Sequence, residues 1–178
     1  GAAYLTLARR EAGRRIISVD PNVRPTVTPD MGQWRARFEA FADLADVIKA
    51  SDEDIRLAYG EGAEIEPVAR GWLGRGAGLV VVTRGEAGAL ALTARERVAV
   101  PGRAVPVVDT VGAGDTFHAA LLARLTGLGL LTKDGLARLD AATLRTVLTY
   151  AATAASITCS RRGADLPRAA DVAAVAGH

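Results

Sequence analysis

The run Asp109-Thr110-Val111-Gly112-Ala113-Gly114-Asp115-Thr116-Phe117 sets two glycines and an alanine between an apolar strand-like segment and a helix-like one. Small residues at such a junction let the backbone come close to a ligand. The first N–H groups of the helix then meet that ligand with the positive end of the helix dipole, which makes an anion site. A carboxylate on the first turn, Asp115, stands beside that site. There it can accept a proton from an attacking hydroxyl while the N–H groups of Gly112, Ala113, Gly114 and Asp115 stabilise charge on a transferred phosphoryl group. The chemistry expected of the segment is phosphoryl transfer to an alcohol.

Two other nucleotide motifs do not fit. A P-loop needs Lys and then Ser or Thr after its last glycine, where this chain has Asp115, and the dinucleotide fingerprint needs a small residue where Phe117 stands. The bland reading, a tight turn in which Asp115 merely caps a helix, competes with the functional one for a bare Gly-Ala-Gly. It is weaker for the whole nine-residue string.

The elements that position this segment follow from hydrophobic pattern. Arg15–Val19, Asp46–Lys49 and Leu79–Val82 are short continuous apolar runs separated by helical stretches around Trp34–Leu44, Ser51–Tyr59 and Ile65–Leu73. Such runs belong in a parallel sheet covered on both faces. From Gly85 the pattern changes. Ala89–Leu92, Val98–Val100 and Val105–Val108 predict short strands joined by Gly and Pro turns, an antiparallel edge. Helices are expected again over Asp115–Leu125 and about Ala141–Thr158, with a small one after Pro167.

With 178 residues, 49% hydrophobic and 24% charged, the chain suits one domain with a real core, residues 1–178 as a single unit. Its net charge of +2 comes almost wholly from scattered arginines, since Lys49 and Lys133 are the only lysines, and this speaks against nucleic acid as a partner. The single Cys159 cannot form an internal disulfide, which fits a reducing cytoplasm, and no apolar run reaches the roughly 20 residues that span a bilayer. The opening residues Gly1–Arg10 read as the middle of an amphipathic helix without methionine or N-cap, so a fragment of a longer protein is expected. His178 is a terminal residue without a role.

The string Asp109–Phe117 resembles the C-terminal signature of the PfkB (ribokinase-like) carbohydrate kinase family, Asp-Thr-x-Gly-Ala-Gly-Asp-x-Phe. Other segments resemble that family in the same order. Asp20-Pro21-Asn22-Val23-Arg24 is similar to its Asp-Pro-Asn-x-Arg strand end facing the substrate cleft, although an Asx-Pro turn is the alternative reading. Lys49-Ala50-Ser51-Asp52-Glu53-Asp54 stands where the family has Asn-x-x-Glu, with Ser51 and Asp54 in place of the amide and the longer acid, and plain N-capping by Ser51 competes here. Val82–Gly88 resembles the Thr-x-Gly-x-x-Gly turn along the ATP phosphates, and Thr158–Ala164 resembles the segment near the adenine and a monovalent cation.

The resemblance implies an α/β/α sandwich with a mostly parallel sheet and an antiparallel edge, in which this chain supplies the C-terminal, ATP-binding and catalytic part. It implies ATP-dependent phosphorylation of a sugar hydroxyl, fructokinase-like or 2-keto-3-deoxygluconate-kinase-like, with Asp115 as base and Gly112, Ala113 and Gly114 as anion hole. ATP would meet Thr83, Gly85, Gly88, Ser51, Gly114 and Gly163, and the sugar would meet Asn22, Arg24 and Asp115. Mg2+ would reach Asp54 through water, and K+ would sit near Asp109, Val111, Thr158, Arg161 and Gly163. His118 lies on the same helix face as Asp115 and is expected to pack near the cleft, while Cys159 is expected to be a small unreactive residue. A homodimer is the expected assembly. Alternatives are a ribose or nucleoside kinase, a nucleotide-binding module without turnover, and a dinucleotide oxidoreductase, the last opposed by Phe117.

Overall fold

The computed structural model describes residues 2–176, so Gly1 and His178 lie outside it. Five strands form one sheet in the order β1-β2-β3-β4-β5: β1 Ser18–Val19, β2 Val47–Ser51, β3 Leu79–Thr83, β4 Ala89–Leu92 and β5 Arg97–Val100. The first three run parallel and β4 and β5 are antiparallel to their neighbours, as the change of pattern at Gly85 predicts. The eight helices of the described residues are α1 Ala2–Glu11, α2 Met31–Ala42, α3 Asp52–Tyr59, α4 Ile65–Gly74, α5 Ala113–Gly127, α6 Lys133–Ala137, α7 Ala141–Cys159 and α8 Ala169–Ala176.

Strand alternation sorts the core into two layers. Val47, Leu79, Val81, Ala89, Ala91, Val98 and Val100 point to one face, where Phe117, Leu121 and Leu125 of α5 and Leu144, Val147 and Leu148 of α7 cover them. Ile48, Ala50, Val80, Val82, Leu90 and Leu92 point to the other, against Phe38, Ala42, Ile55, Ala69 and Trp72 of α2, α3 and α4. Both faces are covered, which is why β2 and β3 carry continuous apolar runs, and the architecture is a three-layer α/β/α sandwich.

Three local expectations change. Arg15–Val19 contributes only the two-residue β1, since Ile17 already turns its carbonyl to the Asp46 and Val47 N–H groups. Val105–Val108 is not a strand: Pro106 lacks a donor, and the Val108 and Asp109 N–H groups both bond the Cys159 carbonyl at the end of α7 instead of a ladder partner. Helix α6, capped by the Thr132 hydroxyl on the Gly135 N–H, was not foreseen.

Candidate active site

The carboxyl ends of β1, β2 and β3 bring Asp20, Ser51 and Thr83 to one rim of the sheet, where ligands of open parallel sheets bind. The start of α5 faces that rim. Gly112 is its N-cap with φ 79°, a left-handed conformation suited to glycine, and a Cβ there would stand 3.2 Å from the Ala164 Cβ. Asp115 is exposed on the first turn, and the Gly114 and Asp115 N–H groups have no acceptor among the described residues. Such orphan donors at a helix start suit an anion, and the solvent-facing Asp115 carboxylate stands beside them on the same turn.

The loop before α5 is fixed from two directions. Asp109 accepts from the Val111 N–H through Oδ1 and from the Gly163 N–H through Oδ2, both at 3.0 Å. These backbone donors, Val111 first and Gly163 second, hold its carboxyl below the usual aspartate range. On the helix side, the Thr116 hydroxyl donates to the Gly112 carbonyl at 2.9 Å, so the Thr158 hydroxyl, 3.0 Å from it, donates in turn to Thr116. The region expected to hold a monovalent cation is therefore assembled around Asp109, Val111 and Gly163. The Thr158 hydroxyl is buried in its bond to Thr116, and Arg161 turns to Asp171 at 3.2 Å and Asp165 at 3.6 Å. Burial, and then the charge of Asp109, push the Cys159 thiol up, away from reactivity.

Two further motifs are cross-linked. The Asp54 carboxylate, 6% exposed, accepts from the Val23 N–H at 2.7 Å through Oδ1 and from the Ser51 N–H and hydroxyl at 2.8 and 2.7 Å through Oδ2. Ser51 in return caps α3 on the Asp54 N–H, a complete capping box. The loop after β1 is an Asx turn: the Asn22 N–H donates to Asp20 Oδ1 at 3.1 Å and Asn22 adopts φ 41°, leaving Asn22 and Arg24 exposed toward the rim. The Arg24 guanidinium folds onto the Val23 carbonyl at 2.8 Å.

On β3, the Thr83 hydroxyl donates to the Ala50 carbonyl at 3.3 Å. The two glycines of the following turn differ. Gly85, at φ 53°, has open space where a Cβ would be, whereas a Cβ on Gly88 would fall 2.0 Å from the Val100 carbonyl oxygen. The small size of Gly88 thus serves the close passage of β5, and Gly85 is the one that faces outward.

Sequence reasoning missed a buried group at the centre. Alternation along β2 turns Lys49 toward the α5 face, where its side chain is 4% exposed, its Nζ donates to Asp20 Oδ2 at 2.9 Å, and a Cβ on Gly114 would lie 3.0 Å from that Nζ. The available signal was a lysine inside an apolar strand of a chain whose other cations are nearly all arginines. Beside it, the half-buried His118 shares a 2.7 Å hydrogen bond between Nε2 and the Ser18 hydroxyl. Burial is the main cause that lowers its pKa below 6.5, Lys49 adding to it and Asp20 and Asp115 opposing.

A groove of about 860 Å³ runs between α1, α2 and the outer edge of β1, and meets this site only at Ser18–Pro21. Among the described residues no group of three or more His, Cys, Asp or Glu is arranged to hold a metal ion. With the oxygens of Asp54 already accepting three hydrogen bonds, the side chains do not form a protein-built Mg2+ cage. They suit a magnesium ion that comes with nucleotide phosphates and keeps most of its water.

Residues 2–170 match the pfkB family carbohydrate kinase pattern. A fructokinase of Rhizobium leguminosarum bv. trifolii is 46% identical over 145 residues, covering 82% of this chain and 44% of its own length. The structure of a fructokinase from Vibrio cholerae O395 with fructose, ADP and calcium ion bound superposes with a TM-score of 0.80 at 29% identity, over 97% of this chain and 55% of that one. A double mutant of that fructokinase with fructose, ADP and potassium ion gives 0.82 at 29% identity, over 97% and 54%. The chain spans about half the length of the curated relatives it matches. It also has the order of motifs, the mixed sheet and the glycine-flanked helix start described above, and it belongs to the pfkB family of carbohydrate kinases.

Proposed function

We propose that this chain supplies the nucleotide side and the catalytic base of an ATP-dependent kinase acting on a hydroxyl of a fructose-like sugar. The observation that carries the reading is the placement of the exposed Asp115 carboxylate on the same first turn as the unpaired Gly114 and Asp115 N–H groups. Asp115 takes the proton of the attacking hydroxyl, and the N–H groups meet the oxygens of the transferred phosphoryl group. The outward Gly85 and the Thr83 rim lie along the nucleotide, with Ser51 at the neighbouring strand end and Gly163 at the far side of the Asp109 loop. Asn22 and Arg24 face the sugar from the loop after β1. Magnesium carried on the nucleotide supplies neutralisation of phosphate charge when bound, and a monovalent cation such as K+ would lie near Asp109, Val111 and Gly163. The fructokinase relatives favour fructose over 2-keto-3-deoxygluconate, ribose or a nucleoside.

A nucleotide-binding module without turnover is the competing reading, since unpaired N–H groups at a helix start bind phosphate whether or not transfer follows. Both readings are tested by assaying sugar phosphorylation in the full chain as expressed from its gene, with and without Asp115→Asn. Turnover is expected, and the substitution is expected to remove about 99% of it or more while ATP affinity stays within a few-fold. Near-normal turnover in the variant rejects Asp115 as base. ATP binding without turnover on any sugar supports the module.

A further inference from the structure

We propose that Lys49, steered by Asp20, is a side-chain member of the anion site at the start of α5 and carries part of the charge of the phosphoryl group in transfer. This rests on the reading of Asp115 and the α5 amides as a phosphoryl-transfer site and adds a group to it.

Lys49 reaches the site from inside the sheet. Its neighbours on that face, Val47 and Val81, are fully buried core residues, so an ammonium there has little water to lean on. Burial of this kind is costly unless the charge is compensated. Asp20 compensates it from the β1 side, 2.9 Å away, with the other Asp20 oxygen fixed by the Asn22 N–H. An ammonium has three donors, and among the described residues Asp20 is the one acceptor it finds.

Its Nζ also stands where a Gly114 side chain would begin, at 3.0 Å, against the positive end of α5 and the unpaired Gly114 and Asp115 N–H groups. Ammonium and helix start are both positive, and together they repel unless an anion lies between them. A structural ion pair that only joined β1 to β2 would gain nothing from this position. A phosphoryl group whose charge spreads over its outer oxygens would gain from both, and a side chain at the second glycine of the motif would crowd the ammonium that meets it. Asp20 is then a positioning residue, and Lys49 touches the substrate.

The test compares Mg·ADP binding alone with binding in the presence of aluminium fluoride, a planar mimic of the phosphoryl group, in the full chain. Lys49→Ala is expected to bind Mg·ADP within about 2-fold of the unsubstituted protein but to lose about 10-fold or more of the tightening added by the fluoride. In turnover, kcat falls about 100-fold with KM for ATP little changed, and added ethylammonium restores part of it. The double variant Asp20→Asn/Lys49→Met, which leaves no unpaired charge in the core, is expected to keep the melting temperature and show the same loss of fluoride tightening. The inference is overturned if fluoride tightening survives in either variant. It is equally overturned if Mg·ADP affinity and kcat fall together without response to the amine. If Asp115→Asn is inactive and Lys49→Ala turns over normally, only the role of Lys49 fails; if Asp115→Asn is active, the underlying site reading fails.

Discussion

The Gly163 N–H donates to Asp109 Oδ2 at 3.0 Å, fastening the loop after α7 to the loop before α5. Since the Val111 N–H holds the other oxygen, the folded state favours the ionised carboxylate, and its pKa lies below the ordinary 3.8. The unfolded chain therefore binds the proton first. The stability Asp109 contributes is complete above pH 3.8 and is lost as pH falls through the lower folded value. Asp109→Asn should melt below the unsubstituted protein at neutral pH, with a gap that narrows in acid. A gap independent of pH in thermal melts would contradict the assignment.

Asp54 couples the β2–α3 junction to the loop after β1, because one buried carboxylate serves Val23 and Ser51 at once. Replacing it with Asn puts an amide NH2 against a donor, and a loss of about 2 kcal/mol is expected in urea unfolding. Ser51→Ala removes the cap on the Asp54 N–H and the hydroxyl bond to Asp54 Oδ2 but keeps the Val23 and Ser51 N–H bonds to the carboxylate, and should cost about 1 kcal/mol. Equal losses for the two would show that the Val23 bond contributes little.

Gly88 and Gly85 look alike in the sequence and should respond differently to alanine. At Gly88 a Cβ would overlap the Val100 carbonyl and the Pro101–Gly102 backbone, so Gly88→Ala should cost about 3 kcal/mol or more. At Gly85 only the left-handed φ of 53° is at stake, about 1 kcal/mol, and the effect should show chiefly in nucleotide affinity. Matching urea midpoints for the two variants would refute the distinction.

What the sequence made legible was local. The glycine-flanked start of α5 and the change to antiparallel strands after Gly85 are each contained in a short stretch, and the place of Asp115 on the first turn of α5 follows from the same stretch. Helix α6, only Lys133–Ala137, is too short to show a period. Val105–Val108 has strand composition, but its N–H groups are drawn to the Cys159 carbonyl, a contact made by tertiary packing. The same holds for the site: Lys49 with Asp20 and Asp54 with Val23 join residues 29 and 31 positions apart, and only the parallel pairing of β1 with β2 brings them together.

His118 offers the remaining test, one that bears on the charge balance around Asp115. It sits between the Ser18 hydroxyl and three charged groups, Asp20, Lys49 and Asp115, and burial keeps its imidazole neutral below its ordinary pKa of 6.5. Because the unfolded chain takes up the proton first as pH falls, the folded protein is at full advantage above pH 6.5 and loses stability through the window down to the lower folded pKa. His118→Gln can keep a hydrogen bond to Ser18 but cannot titrate, so its melting temperature should fall less steeply than that of the unsubstituted protein across that window. The two curves should run parallel above it. If they run parallel throughout, the imidazole is no more reluctant to take a proton in the fold than in water. In that case the net pull of Asp20 and Asp115 offsets both burial and Lys49, and the field beside Asp115 is more negative than the burial of His118 implies.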